Sequence, residues 1–237
     1  MALDLLAEQT AVWGFPLSSA QLKQFGGYLA LLQEWNERLN LTAVREPAQI
    51  ALRHFLDSLS CALVTGDLNG RWLIDVGTGA GFPGLPLKIL YPELRLTLVE
   101  SVAKKTTFLQ AVVGELGLSQ VTILAERAEV LGQSVAHRER YDWAVARGVA
   151  ELRVLLEYLL PFCRVGGSAL AQKGERGLTE LAAAETAVAL LGGGPAHWRT
   201  VQLPGRDTPH HLIVVEKDSP TPEQYPRRAG VAGKRPL

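Results

Sequence analysis

Apolar residues recur at every third or fourth position through Leu22, Phe25, Leu29, Leu32, Trp35 and Leu39, which predicts an amphipathic helix. Ser18 stands at its N-cap with Gln21 three residues on, and Leu17 and Leu22 flank them as a staple. Asn40-Leu41-Thr42 closes this helix, and Pro47 opens a second helical stretch over about 48–64. From Arg71 the pattern changes. Short β-rich apolar runs at 72–76, 95–99, 121–124, 143–146 and 168–171 alternate with helical segments at about 84–91, 102–116, 127–136 and 149–162. Buried parallel strands read as such runs, and their alternation with helices predicts a doubly wound α/β sheet. A further helix over 177–191 is expected to stop at Gly192-Gly193-Gly194-Pro195. Two last strands, near 198–203 and 211–216, are joined by so short a turn that they should pair antiparallel. The expected organisation is a helical extension (1–70), an α/β domain (71–217) and a Pro/Arg/Gly-rich tail (218–237) without periodicity.

Composition narrows the class. The 237 residues are 47% apolar and 20% charged, the balance of a soluble globular chain. The longest apolar candidate, 181–191, is broken by Glu185 and falls short of the roughly 18 residues a membrane span needs. The opening MALDLLAEQT carries acids where an export signal is basic, so a cytoplasmic protein with no membrane association is expected. Cys61 and Cys163 sit singly in apolar runs and the five histidines form no ligand cluster, so no metal is expected. Net charge is zero, but residues 217–237 hold five basic and two acidic groups, so a basic surface would have to be built locally.

The chemistry concentrates where the first strand, 72–76, runs into Gly77-Thr78-Gly79-Ala80-Gly81 and then Phe82-Pro83-Gly84. Gly77, Gly79 and Gly81 permit positive φ and close approach of a ligand to the backbone. Residues 79–84 match the dinucleotide pattern G-x-G-x-x-G, so a nicotinamide-dependent oxidoreductase is one reading. Asp75, two residues before the first glycine, points the other way. It would crowd a pyrophosphate, yet it suits the cationic amino-acid part of S-adenosylmethionine, or it orients the loop. Glu100, ending the second strand, can accept from ribose hydroxyls in either fold. Ala128 and Glu129, after the third strand, can offer a backbone N–H and a carboxylate to an adenine edge, or simply begin a helix. A non-catalytic S-adenosylmethionine-binding module and a tight turn that binds nothing also remain open.

Several segments together resemble one family: NLTAV (40–44), RHFLDSL (53–59), DVGTGAGFPGLP (75–86), VESVAKKTTFL (99–109), RAE (127–129), YDWAVARG (141–148), GGSALAQKG (166–174) and YPRRAGVAGKRP (225–236). This is similar to the bacterial 16S ribosomal RNA guanine-N7 methyltransferases, also called glucose-inhibited division protein B. The resemblance implies a Rossmann-like class I methyltransferase with a mostly parallel seven-stranded sheet. It further implies S-adenosylmethionine as cofactor and methyl transfer to N7 of guanine 527 in the decoding region of 16S rRNA, loss of which accompanies low-level streptomycin resistance. Carried onto this chain, Gly77, Phe82, Glu100, Ser101, Val102, Ala128, Glu129 and Arg147 would contact the cofactor. Arg147 lies where target-base residues sit in this architecture; it would position the substrate through a phosphate or the guanine O6, or else pair with Glu151. Gly148 stands where many relatives carry Ala, and 177–207 matches least. Candidate RNA-facing charges are Arg53, His54, Lys104, Lys105, Lys173, Arg227, Arg228, Lys234 and Arg235, with His54 equally readable as a satisfied helix histidine. The partner would be the small ribosomal subunit and the protein a monomer.

Overall fold

The computed structural model describes residues 2–237. Seven strands form one sheet in the order β3-β2-β1-β4-β5-β7-β6: β1 (Trp72–Val76), β2 (Arg95–Val99), β3 (Val121–Leu124), β4 (Tyr141–Arg147), β5 (Cys163–Lys173), β6 (Gly193–Val201) and β7 (His210–Lys217). The first five pair parallel with one another, while β7 pairs antiparallel with both β5 and β6. Strand order therefore reverses between β1 and β4. Ligands of open α/β sheets lie at the carboxyl ends of strands flanking such a switch point.

The predicted N-terminal helix spans Ser19–Leu39, and its capping box is formed, with Ser18 Oγ accepting from Gln21 N and Gln21 Oε1 from Ser18 N. Its apolar stripe is not a separate surface. Phe25, Tyr28 and Leu32 are fully buried against Phe55, Leu56, Leu85 and Phe108, in one core with a face of the sheet. Fully burying side chains of this size stabilises by about 1.5–3 kcal/mol each. The other face is covered by the Leu152–Leu159 helix and by Ala187 and Leu191.

Four expectations differ in detail. The 48–64 helix runs as Pro47–Ile50, a π-helical turn over Ala51–Leu56, then Asp57–Leu59 and Ala62–Thr65. β5 begins at Cys163, not near 168, because Gly166 (φ +78°) and Gly167 continue the strand: a Cβ at Gly167 would lie 2.8 Å from the Asp142 carbonyl. The 177–191 helix divides into Gly177–Ala183 and Glu185–Leu190, and Gly193 and Gly194 enter β6 instead of stopping the chain. Gly192 makes that turn and accepts from the N–H groups of Asp218 and Ser219. Finally, the tail is folded. Tyr225 is buried, Arg138 donates to the carbonyls of Thr221 and Tyr225, and a short helix spans Val231–Lys234.

Candidate active site

The β1 strand delivers Asp75 to the underside of the glycine loop. Asp75 is fully buried, and its Oδ2 accepts from the Thr78 hydroxyl (2.6 Å) and the Gly84 N–H (2.7 Å). Its contacts perform loop orientation, the second of the roles open to it, and no part of it reaches the surface. The carboxylate also takes an N–H at the start of the Gly84–Leu90 helix, where a pyrophosphate would otherwise bind. Burial raises its pKa to about 6 against those two hydrogen bonds. Gly84 has no room for a side chain, since a Cβ would stand 2.8 Å from Asp75 Oδ2. Gly77, Gly79 and Gly81 all have positive φ (+69°, +61° and +97°).

Two further groups fasten the loop. Glu100 Oε2 accepts from Gly79 N (3.1 Å) while Oε1 accepts from Val102 N (2.8 Å), so one carboxylate joins the ends of β1 and β2. From the N-terminal layer the Tyr28 hydroxyl donates to the Ala80 carbonyl, and its ring stacks on Phe82 at 5.5 Å. On the outer side Gly77, Ser101, Val102 and Val149 are exposed, a small-residue and apolar rim.

Phe82 is the junction between this loop and a second feature. His54 stacks on its ring at 4.9 Å, and the Arg147 guanidinium lies over it, also at 4.9 Å. Arg147, the last residue of β4, is held by Asp57 Oδ2 at 2.9 Å; the alternative partner Glu151 pairs with Arg153 instead. Beyond Arg147 opens a cavity of about 340 Å³ lined by Arg53, His54, Asp57, Gln172, Arg206 and His210 among others. The π-helical turn brings Arg53 and His54 to its rim. Burial, reinforced by Arg147, lowers the His54 pKa to about 4, so its imidazole is neutral at pH 7. Its Nε2 lies 2.7 Å from the Thr42 hydroxyl, a satisfied histidine facing the cavity.

Three of the expected RNA-facing charges are occupied. Arg227 donates through its backbone N–H and guanidinium to Glu157, which is fully buried, so it fastens the tail and is not free for phosphate. Lys173 is pinned between the Ala150 carbonyl and Glu180, each at 2.7 Å. Lys105 lies 3.8 Å from Glu100. Arg53, Lys104, Arg228, Lys234 and Arg235 are exposed. Glu129 gives one oxygen to Gly230 N (2.9 Å), which docks the tail against the β3 end beside Ala128. Asp57, Gln172, Arg206 and His210 carry no sequence motif of their own. The available signals were a lone Gln in the apolar run SALAQK and an acid in the buried helix RHFLDSL.

A seven-stranded sheet of this order, with a glycine loop after β1 and an acid after β2, is the architecture of class I methyltransferases. A predicted O-methyltransferase of Agrobacterium tumefaciens superposes with a TM-score of 0.56 at 17% identity, over 69% of this chain and 81% of that one. A precorrin-6y C5,15-methyltransferase of Geobacter metallireducens does so at 0.52 and 13%, over 69% and 88%. Residues 21–208 match the family described as rRNA small subunit methyltransferase G. A ribosomal RNA small subunit methyltransferase G of Roseiflexus castenholzii is 50% identical over 99% of this chain and 100% of its own length. One from Alkaliphilus metalliredigens is 46% identical over 94% of each. The chain belongs to the rRNA small subunit methyltransferase G family.

Proposed function

We propose that this enzyme transfers the methyl group of S-adenosylmethionine to N7 of a guanine in 16S rRNA, position 527 of the decoding region by family resemblance. The observation that carries the reading is the cationic cavity beside the glycine loop, with Arg147 touching both through Phe82 and Asp57. The residues present fit the cofactor. Gly79 leaves the loop backbone open, Gly77 has Val149 packed against it, Glu100 stands beside Gly79 with one further lone pair on each oxygen, and exposed Val102 and Val149 offer apolar cover. Gly81, Phe82, Ser101, Ala128 and Glu129 complete the expected cofactor contacts, with Asp75 acting from beneath.

When bound, S-adenosylmethionine supplies a sulfonium methyl that the in-plane lone pair of guanine N7 attacks directly, so no residue has to remove a proton. The chain's task is placement, which for well-aligned partners is worth up to about 7–11 kcal/mol. The Glu100 and Tyr28 contacts hold the loop, and Arg147 binds the nucleotide as a cation and transfers no proton. Exposed Arg53, Lys104, Arg228, Lys234 and Arg235 would meet phosphates. Domain roles follow: residues 1–70 build the substrate side of the cavity, 71–217 the cofactor side, and 218–237 an edge of the RNA-facing surface. We further place the enzyme in the cytoplasm as a monomer, its loss giving low-level streptomycin resistance; among the described residues no helix is long and apolar enough to cross a membrane.

The test is to incubate the protein and S-adenosylmethionine with small ribosomal subunits lacking the modification and to map 7-methylguanosine in the rRNA. Methylation at the decoding-region guanine is expected. Methylation elsewhere, or none on either subunits or free rRNA, overturns the reading.

A further inference from the structure

Two side chains lining the cavity beyond Arg147 keep an acceptor oxygen with no hydrogen bond among the described residues, and one of these oxygens, Gln172 Oε1, is itself closed off from solvent. Gln172, directly across the β4–β5 ladder from Arg147, is 5% exposed and lines the cavity. Its Nε2 donates to the Asp57 carbonyl at 2.8 Å, whereas its Oε1 has no hydrogen-bond partner among the described residues. Asp57 is equally buried. Arg147 takes its Oδ2, but Oδ1 has only the loose neighbours Arg206 at 3.8 Å and His210 Nδ1 at 3.4 Å. Burial lowers the His210 pKa, so its ring faces Asp57 as a neutral group. Arg206, on the β6–β7 turn, stays beyond hydrogen-bond distance of Oδ1 and leaves it open to a better donor.

Buried acceptors without donors are costly, and a ligand that brings donors relieves the cost. Among the four RNA bases, guanine presents two adjacent donors, N1–H and N2–H, on its Watson–Crick edge; adenine and cytosine present an acceptor at the central position, and uracil flanks its one donor with acceptors. We infer that Asp57 Oδ1 receives the N1–H and Gln172 Oε1 the N2–H of the target guanine, and that together they make this pocket selective for that base. The inference rests on the methyl-transfer reading above and deepens it. It also gives Asp57 a part in the rate. Methylation carries the sulfonium's positive charge onto the purine, which makes the ring N–H groups stronger donors. A carboxylate bonded to that edge therefore binds the transition state more tightly than the ground state, and only such differential contacts accelerate the chemical step.

The test uses small ribosomal subunits reconstituted with 16S rRNA that carries either guanosine or inosine at the target position, since inosine lacks only the 2-amino group. With the wild-type enzyme, inosine should lower kcat/KM for N7 methylation about tenfold, the share of one well-placed hydrogen bond. Gln172→Met, which keeps chain length but removes the acceptor, should lower the guanosine rate by a similar factor and add no further loss on inosine. Full activity of the wild-type enzyme on inosine overturns the inference, as do losses from Gln172→Met and inosine that multiply. The wild-type arm alone decides the matter if Gln172→Met does not fold. If the wild-type enzyme fails to methylate even the guanosine subunits, the methyl-transfer reading has failed instead.

Discussion

Asp75 and His54 show how single buried groups at this site turn into pH dependence of opposite sign. Asp75, raised from the ordinary carboxyl value of 3.8 to about 6 by burial, binds a proton in the native state that the unfolded chain has already released. Its contribution to stability therefore falls as pH rises from about 4 to 6 and is constant above that. His54 runs the other way. Burial and Arg147 lower it from 6.5 to about 4, so stability fully present above 6.5 is lost as pH falls through that window. Because the windows overlap, the raw stability curve hides both, and a difference measurement is needed. Asp75→Asn keeps an acceptor for Thr78 and Gly84 while ending the titration. Urea unfolding of both proteins between pH 4 and 8 should show the wild-type advantage shrinking toward pH 6 and then levelling; parallel curves would reject the assignment. Arg147 gives the catalytic counterpart. Arg147→Ala should lower kcat/KM on small subunits about a hundredfold through lost placement while S-adenosylmethionine affinity changes far less. Methylation retained at the wild-type rate would remove it from the substrate site. The sequence made Arg147 legible because it ends a strand, but its partner Asp57 lies 90 residues earlier, a contact only the fold creates.

At the scale of elements, the periodic parts were readable and the glycine-rich ones were not. The Ser19–Leu39 helix and the strands β1 to β4 follow from apolar spacing because each buries one face or both. Gly193-Gly194 looked like a stop, yet both are strand positions where, as at Gly167, neighbouring atoms leave no room for a Cβ. The π-helical turn over Ala51–Leu56 has no signature in spacing, and it is this turn that carries Arg53 and His54 to the cavity. The tail misled for a different reason: a segment without periodicity can still be ordered by side chains that clasp it. The clasp here is Glu157, on the Leu152–Leu159 helix, meeting Arg227. Glu157 is fully buried, so removing its partner strands a carboxylate in the core. Arg227→Ala should destabilise the protein by about 3 kcal/mol, and Arg227→Lys, which cannot make the forked contact, by a large part of that. Chemical denaturation measures it, and a change under about 1 kcal/mol would mean the tail is held elsewhere.

For the whole molecule the question is how a chain of zero net charge holds a polyanion. Its cations have to be concentrated on one surface, and the folded structure sorts them. Arg227, Lys173 and Lys105 are spent on internal carboxylates, while Arg228, Lys234 and Arg235 remain exposed on a tail docked beside the β3 end through Gly230 and Glu129. Removing residues 221–237 is therefore a poor test of RNA contact, because it also uncovers Glu157 and deletes the core residue Tyr225. Substituting Arg228, Lys234 and Arg235 together by alanine leaves every one of those packing contacts in place. Each phosphate contact contributes about 0.7 to 0.9 to the slope of log affinity against log salt. The triple variant should thus flatten that slope by as much as about 2 to 3, weaken binding most at low salt, and leave thermal stability and S-adenosylmethionine affinity unchanged. Filter binding of 16S rRNA across a salt series reads this out. An unchanged slope at unchanged stability would exclude the tail from the RNA interface and leave Arg53 and Lys104, which flank the cavity and the loop, to supply it.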